Sequence, residues 1–302
     1  MLQTHNVNER HEHPDLMGVV RDYIALTKPG IMALLLVTTL GAMLIASAGF
    51  PPFWLVVVTM AGGWLSAAGA NVLNCYIDRD IDAKMPRTRR RGTANGNVSA
   101  RAALIYGIVL TLGGFLLLGI LVNWLAAWLA FAGNLYYVLV YTLWLKRRTP
   151  QNIVIGGAAG AVPPLVGWAA VTGTLSAPAF ILFAIVFYWT PPHFWSLALL
   201  KQGEYGRVFV PMLPVVAGEE YTRQQVFLYT IMLAAVSLML VPFGMSWIYM
   251  LGAVILSGWF LKLAIQLLMH PSKAVARKTF FFSIWYVAGL FAVMATDRIL
   301  LG

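Results

Sequence analysis

Long apolar runs alternate with short polar connections along most of the chain. A helix of about 20 mostly apolar residues spans a bilayer. Runs of that kind fall at 31–49, 54–76, 102–121, 124–143, 152–171, 178–200, 226–243, 247–268 and 280–300. They predict an all-α, polytopic membrane protein with nine transmembrane helices. The breaks at Asn123 and Gly244 are the narrowest. Before the first run, Pro29 suits the first turn of a helix. The polar residues 1–22 are expected as a tail and residues 23–302 as a single transmembrane domain. The tail lacks the ordered charged, apolar and small-residue regions of a secretory signal. His5, His11 and His13 lie in it, as a weak metal-binding cluster or as ordinary tail residues.

Charge sharpens this picture. The connections at 50–53, 122–123, 172–177 and 244–246 hold no Lys, Arg, Asp or Glu, whereas the N-terminal segment, the other connections and the adjoining end of the eighth run (Lys262) carry 20 of the 21 cations. Only Arg298 falls on the other side, and every carboxylate except Asp297 shares the side of the cations. Cationic connections stay in the cytoplasm. The expected topology therefore has the N-terminus and the acidic stretches inside and the C-terminus outside, in the bacterial cytoplasmic (inner) membrane. With 60% hydrophobic residues and mean hydropathy +0.77, the chain is built for a lipid bilayer and has no room for a sizeable soluble domain. A net charge of +10 would point to nucleic acid in a soluble protein; here topology explains it, and no nucleic-acid partner is expected. The single cysteine, Cys75, excludes disulfides and cysteine metal sites within the chain.

The densest chemistry lies between Asn71 and Arg91, NVLNCYIDRDIDAKMPRTRRR. On a helix, Asn74, Asp78 and Asp82 fall at i, i+4 and i+8, with neighbouring Cβ atoms about 5–6 Å apart; Asp80 points elsewhere. Two carboxylates on one stripe need cations. Arg79, Lys84 and Arg87 supply them in a plain solvated helix end. Alternatively the stripe holds Mg²⁺, which takes carboxylates, waters and phosphate oxygens. Ionisable residues at the mouth of a membrane helix are rare and expensive, which favours the metal. Acidic pairs that hold a metal, ringed by arginine forks and lysine point charges, describe a diphosphate site. Arg87, Arg91, Lys146, Arg147 and Lys201 are the candidate ring.

Two other stretches stand out. IGGAAGAVPPLVGWAAVTG at 155–173 combines glycines with a proline pair inside a span. Small residues let membrane helices approach, and freed backbone groups need protein or cavity partners; the stretch is either a tight, kinked contact or a wall of a substrate cavity. YWTPPHFW at 188–195 contains His193, the only histidine within a predicted span. A neutral imidazole there can ligate haem iron, shuttle a proton or hydrogen-bond a neighbouring helix.

At these residues the chain resembles the UbiA superfamily of intramembrane prenyltransferases. LTKP at 26–29, NVLNCYIDRDIDAKMPRT at 71–88, the Gly/Pro stretch, PPHFW at 191–195 and VPMLPVV at 210–216 carry the resemblance. The last three point to the haem-modifying branch. The resemblance implies nine helices in a bundle around a central cavity. It also implies Mg²⁺ and prenyl diphosphate bound at Asn74, Asp78 and Asp82, and a second acidic motif. That motif is Glu204-Tyr205 here, where relatives usually have Asp-Tyr, and it makes Glu204 a metal candidate and Tyr205 a binding candidate. The implied reaction moves a farnesyl group from farnesyl diphosphate to a vinyl group of haem B, with addition of water, giving haem O. Haem B is then a substrate rather than a retained cofactor, and His193 is the expected contact with it, as ligand or positioning group. Implied partners are the lipid bilayer and haem-biosynthesis or terminal-oxidase assembly proteins. Two alternatives remain at this point: prenylation of an aromatic quinone precursor, and non-catalytic haem handling by a membrane transporter.

Overall fold

The structure, a computed structural model, describes residues 16–301; His5, His11 and His13 lie outside them. Helix α1 (Leu16–Leu26) leads into α2 (Pro29–Ala46) and α3 (Phe53–Ile77). Two short helices follow, α4 (Arg79–Lys84) and α5 (Gly92–Asn95). Then come α6 (Ala100–Leu121) and α7 (Trp124–Leu135), the latter continued by a π-helical segment, Tyr136–Leu145. The remainder is α8 (Asn152–Gly160), α9 (Val162–Thr172), α10 (Ala177–Arg207), α11 (Leu213–Val216), α12 (Gly218–Leu238), α13 (Trp247–Met269) and α14 (Lys273–Leu301). Among the described residues, nine helical stretches are long and apolar enough to cross a membrane, and all nine coincide with the expected runs. The expected edge of the tail, at 22/23, falls inside α1.

The narrow breaks are real and locally encoded. Asn123 accepts a hydrogen bond from the Ala126 amide (2.9 Å), capping α7. Its amide also reaches across to the Ala169 carbonyl (2.8 Å), satisfying the end of α9. At the other break Gly244 turns the chain with φ 89°, a region that suits glycine.

Packing runs α3–α6–α7–α9 on one side and α10–α12–α13–α14 on the other, and α2 joins the halves by packing on both α9 and α14. The outer spans expose apolar side chains, such as Ile105, Leu116 and Ile120 of α6. The most enclosed is α10, with 61% of its most apolar window buried against 28% for α6. So the helix with the proline pair and His193 lies centrally.

Of the two readings of the Gly/Pro stretch, close packing is what the structure contains. Gly156 lies against Tyr141, Gly157 against Thr190, and Gly167 against the backbone of Thr39 in α2. The proline pair does not kink a continuous helix. The chain breaks at Ala161, and Pro163 and Pro164 sit in the first turn of α9, where their missing N–H groups cost little. Gly167→Leu is expected to force α9 off α2 and destabilise the fold by about 1–3 kcal/mol. Thermal unfolding in detergent measures this; an unchanged midpoint would contradict the close approach.

Candidate active site

Three side chains of α3 secure the turn between α1 and α2. The Asn71 amide donates to the Thr27 carbonyl (3.1 Å), and the Cys75 thiol makes a long contact to the Leu26 carbonyl (3.8 Å). One turn further, Asn74 Oδ1 accepts from Lys28 Nζ (2.6 Å). Lys28 pays for its position in backbone conformation: φ 55°, ψ 58° is left-handed, and it precedes a proline. Burial lowers the pKa of its ammonium from the usual lysine value, opposed by the nearby Asp82 and Asp78 charges.

The stripe itself is not one unbroken helix face. Asp78 has ψ 5° and separates α3 from α4, although its amide still bonds the Asn74 carbonyl (2.9 Å) and its carbonyl accepts from the Asp82 amide (2.8 Å). The three side chains stay deeply buried: Asn74 is 3% exposed, Asp78 1% and Asp82 3%. Buried carboxylates require partners, and the partners come from afar. Lys146 donates to Asp78, and Arg91 pairs with Asp82 at 2.7 Å. Arg147 lies 3.7 Å from Asp78 and forks onto Asp80 at 2.7 and 2.8 Å. These hydrogen bonds hold the Asp80 carboxyl below its usual pKa. Asp80 does point away from the stripe, as expected, but Arg79, Lys84 and Arg87 are not the neutralising cations.

The π-helical segment explains how Lys146 arrives. Wide i→i+5 turns are frequent at functional sites; here the Thr142 hydroxyl bonds the Tyr137 carbonyl (2.8 Å) and the Lys146 amide bonds the Tyr141 carbonyl (2.9 Å). Thr142 thereby meets the Asn74 amide (3.1 Å), which also donates to Asp78 (2.8 Å). That nitrogen serves Asp78 and the oxygen serves Lys28, so Asn74 touches both the anion and the cation. It is an organiser of the two charges.

The second patch is separate. Glu204 pairs with Lys201 (2.7 Å), one turn before it on α10, at a kink where Lys201 leaves helical geometry. Among the described residues, no group of three or more His, Cys, Asp or Glu side chains converges to hold a metal. Lys201 takes one oxygen of Glu204, while the other, Oε2, is buried without a hydrogen-bond donor. Tyr205 is packed in an apolar cluster that includes Ile81 and Met85, so the patches approach through their apolar sides. Arg87 is exposed and lies near enough to Tyr205 for its charge to act there. A cavity of about 130 Å³ lies between Asp80, Ile81, Lys84 and Arg147 on one side and Val208, Phe209 and Val210 on the other.

His193 contacts none of the acidic residues. Its ring is stacked between Trp189 and Phe280, with centroids at 4.5 and 4.7 Å, and Nδ1 lies 2.7 Å from Ser283 Oγ.

The residues suit a Mg²⁺ ion at the stripe. Asp78 Oδ1 is buried with no hydrogen-bond donor, and Asp82 presents a second hard oxygen donor one helical turn on. Lys28 and Thr142 were not anticipated. Lys28 reads locally as an interfacial turn residue, and nothing in 136–145 announces a π-helix.

Residues 35–286 match the UbiA prenyltransferase family. A protoheme IX farnesyltransferase of Gloeobacter violaceus is 50% identical over 290 residues, covering 95% of both chains. One from Chloroflexus aurantiacus is 52% identical over 290 residues, covering 96% of this chain and 49% of that one. The chain thus spans about half the length of several curated relatives it matches. A solved digeranylgeranylglyceryl phosphate synthase structure is similar with TM-score 0.79 at 18% identity, over 94% of this chain and 100% of that one. A UbiA homolog from Archaeoglobus fulgidus bound to GPP and Mg²⁺ has TM-score 0.63 at 14% identity, over 90% and 99%. At these identities the two structures are alike in fold.

Proposed function

Because the chain belongs to the UbiA prenyltransferase family, we propose that it transfers a farnesyl group from farnesyl diphosphate to a vinyl group of haem B, giving haem O and diphosphate. The observation that carries the diphosphate half is the buried Asp78–Asp82 stripe closed by Lys28, Arg91, Lys146 and Arg147. The acceptor half is supported by the Gloeobacter relative, named a protoheme IX farnesyltransferase and of nearly equal extent.

Asp78 and Asp82 would hold Mg²⁺, which when bound supplies Lewis-acid stabilisation of charge on the departing diphosphate. The donors now facing the oxygens of Asn74, Asp78 and Asp82 suit diphosphate oxygens equally: Arg91 and Arg147 as forks, Lys28 and Lys146 as point charges. Asn74 keeps Lys28 and Asp78 in register. Arg87, Lys201 and Tyr205, with Glu204 neutralising Lys201, form an outer ring that receives the donor's charged end. The allylic C–O bond breaks, its electron pair leaving on diphosphate. The vinyl π pair forms the new C–C bond; water then bonds to the resulting cation and releases one proton. Preorganised charge at the leaving group lowers the barrier to the first step. His193, among aromatic rings on the central helix, is the group that meets the haem. The cation-rich connections support a topology with the acidic stripe and N-terminus on the cytoplasmic side of a bacterial inner membrane, and in this reading residues 23–302 act as one catalytic domain.

Calorimetric titration with farnesyl diphosphate tests the donor site. Mg²⁺ is expected to tighten binding at least about tenfold, or 1.4 kcal/mol, and Asp82→Asn to remove that gain. Equal affinity with and without chelator would contradict the assignment.

A further inference from the structure

The hydrogen-bond partners around His193 bear on its tautomer. We propose that Ser283 is a positioning residue that holds His193 in the Nδ1–H form and so presents the Nε2 lone pair to the haem substrate. This rests on the assignment of His193 to haem contact.

A serine hydroxyl has one proton to give. Ser283 Oγ lies 2.6 Å from the Phe280 carbonyl oxygen, which can only accept. The proton is therefore committed there. Ser283 Oγ also lies 2.7 Å from His193 Nδ1, and that contact then needs its proton from the imidazole. In a neutral ring, a proton on Nδ1 leaves the lone pair on Nε2. No protein group among the described residues hydrogen-bonds Nε2.

The surroundings remove the ring's remaining freedom. Trp189 and Phe280 stack on its two faces at interplanar angles of 21° and 28°, and Phe194 meets it edge-on. Trp189 also donates from Nε1 to the Ser283 carbonyl (2.6 Å). One tryptophan thus fixes both the imidazole face and the backbone that carries the hydroxyl. Ser283 is fully buried, on α14, which packs along α10. Histidines that bind iron or zinc commonly donate their other N–H to such an oxygen, and loss of that partner weakens binding 10–100-fold.

The test uses the full-length protein in detergent. Nitrogen-15 NMR of histidine-labelled protein without haem reads the tautomer directly, with His193→Gln assigning the signal. Wild type is expected to show Nδ1–H, Ser283→Ala a shift toward Nε2–H, and Ser283→Thr the wild-type pattern. Haem B titration, followed by the Soret band and axial-ligand spectra, is expected to show at least about tenfold weaker binding in Ser283→Ala and recovery in Ser283→Thr. An Nε2–H signal in wild type, or no change in Ser283→Ala, would overturn the role of Ser283. Unchanged haem affinity and spectrum in His193→Gln would instead overturn the haem contact, and with it the purpose given to Ser283, whatever the tautomer.

Discussion

Asp78→Asn is expected to lower prenyl transfer by about 10³-fold, the scale associated with losing one preorganised charge-stabilising group. That corresponds to about 4 kcal/mol of barrier. The substitution keeps the shape and removes the charge. It takes away the one buried carboxylate oxygen of the stripe that has no donor, and leaves Lys146 without its counter-ion. The fold should survive. Lys146 and Arg147 keep some contact with solvent, at 16% and 38% side-chain exposure, and can rehydrate. The stability loss should therefore stay within roughly 1–3 kcal/mol. Activity measured beside thermal unfolding separates the two effects. Retained transfer in a folded Asp78→Asn protein would remove Asp78 from the chemistry.

The largest loss of stability is expected at the other end of the bundle. Asp297 of α14 is 1% exposed and caps the start of α13, accepting from the Ser246 amide (2.9 Å), the Tyr249 amide (3.1 Å) and the Ser246 hydroxyl. A carboxylate suits the positive end of a helix. Asp297→Ala strands buried donors in the membrane domain, each worth about 1–3 kcal/mol, for a total of about 3 kcal/mol or more. Thermal unfolding should show it, while activity per folded molecule stays near wild type because Asp297 touches no residue of the stripe. A wild-type midpoint would show that the carboxylate is dispensable to the cap.

Asp297 also shows where sequence patterns stop. It registered only as the carboxylate on the wrong side of the charge map; its partners lie 48 and 51 residues away. The nine spans were legible because bilayer thickness imposes a length on apolar runs that no local propensity can mimic. The i, i+4, i+8 stripe was legible for the same kind of reason, as a geometric spacing, and Asp80 turns away as that spacing requires. Which cations answer the stripe was not legible. Arg79, Lys84 and Arg87 are nearest in sequence, yet Arg91, Lys146 and Lys28 are nearest in space. Arg91 returns through α5, Lys146 is rotated inward by a π-helical segment, and Lys28 is held by α3 in a left-handed turn. Glu204 shows the converse: its ion-pair partner, Lys201, is the local i, i+3 cation.

The most direct measurement gives the purified protein haem B, farnesyl diphosphate and Mg²⁺ in liposomes, with and without chelator, and resolves the porphyrins by chromatography and mass. The expected product is haem heavier by one farnesyl group and one hydroxyl-bearing water addition, formed only when Mg²⁺ is present. Haem B left unmodified under those conditions, while a hydroxybenzoate supplied in a parallel reaction is prenylated, would contradict haem as the acceptor; product formed equally in chelator would contradict the metal-bearing stripe.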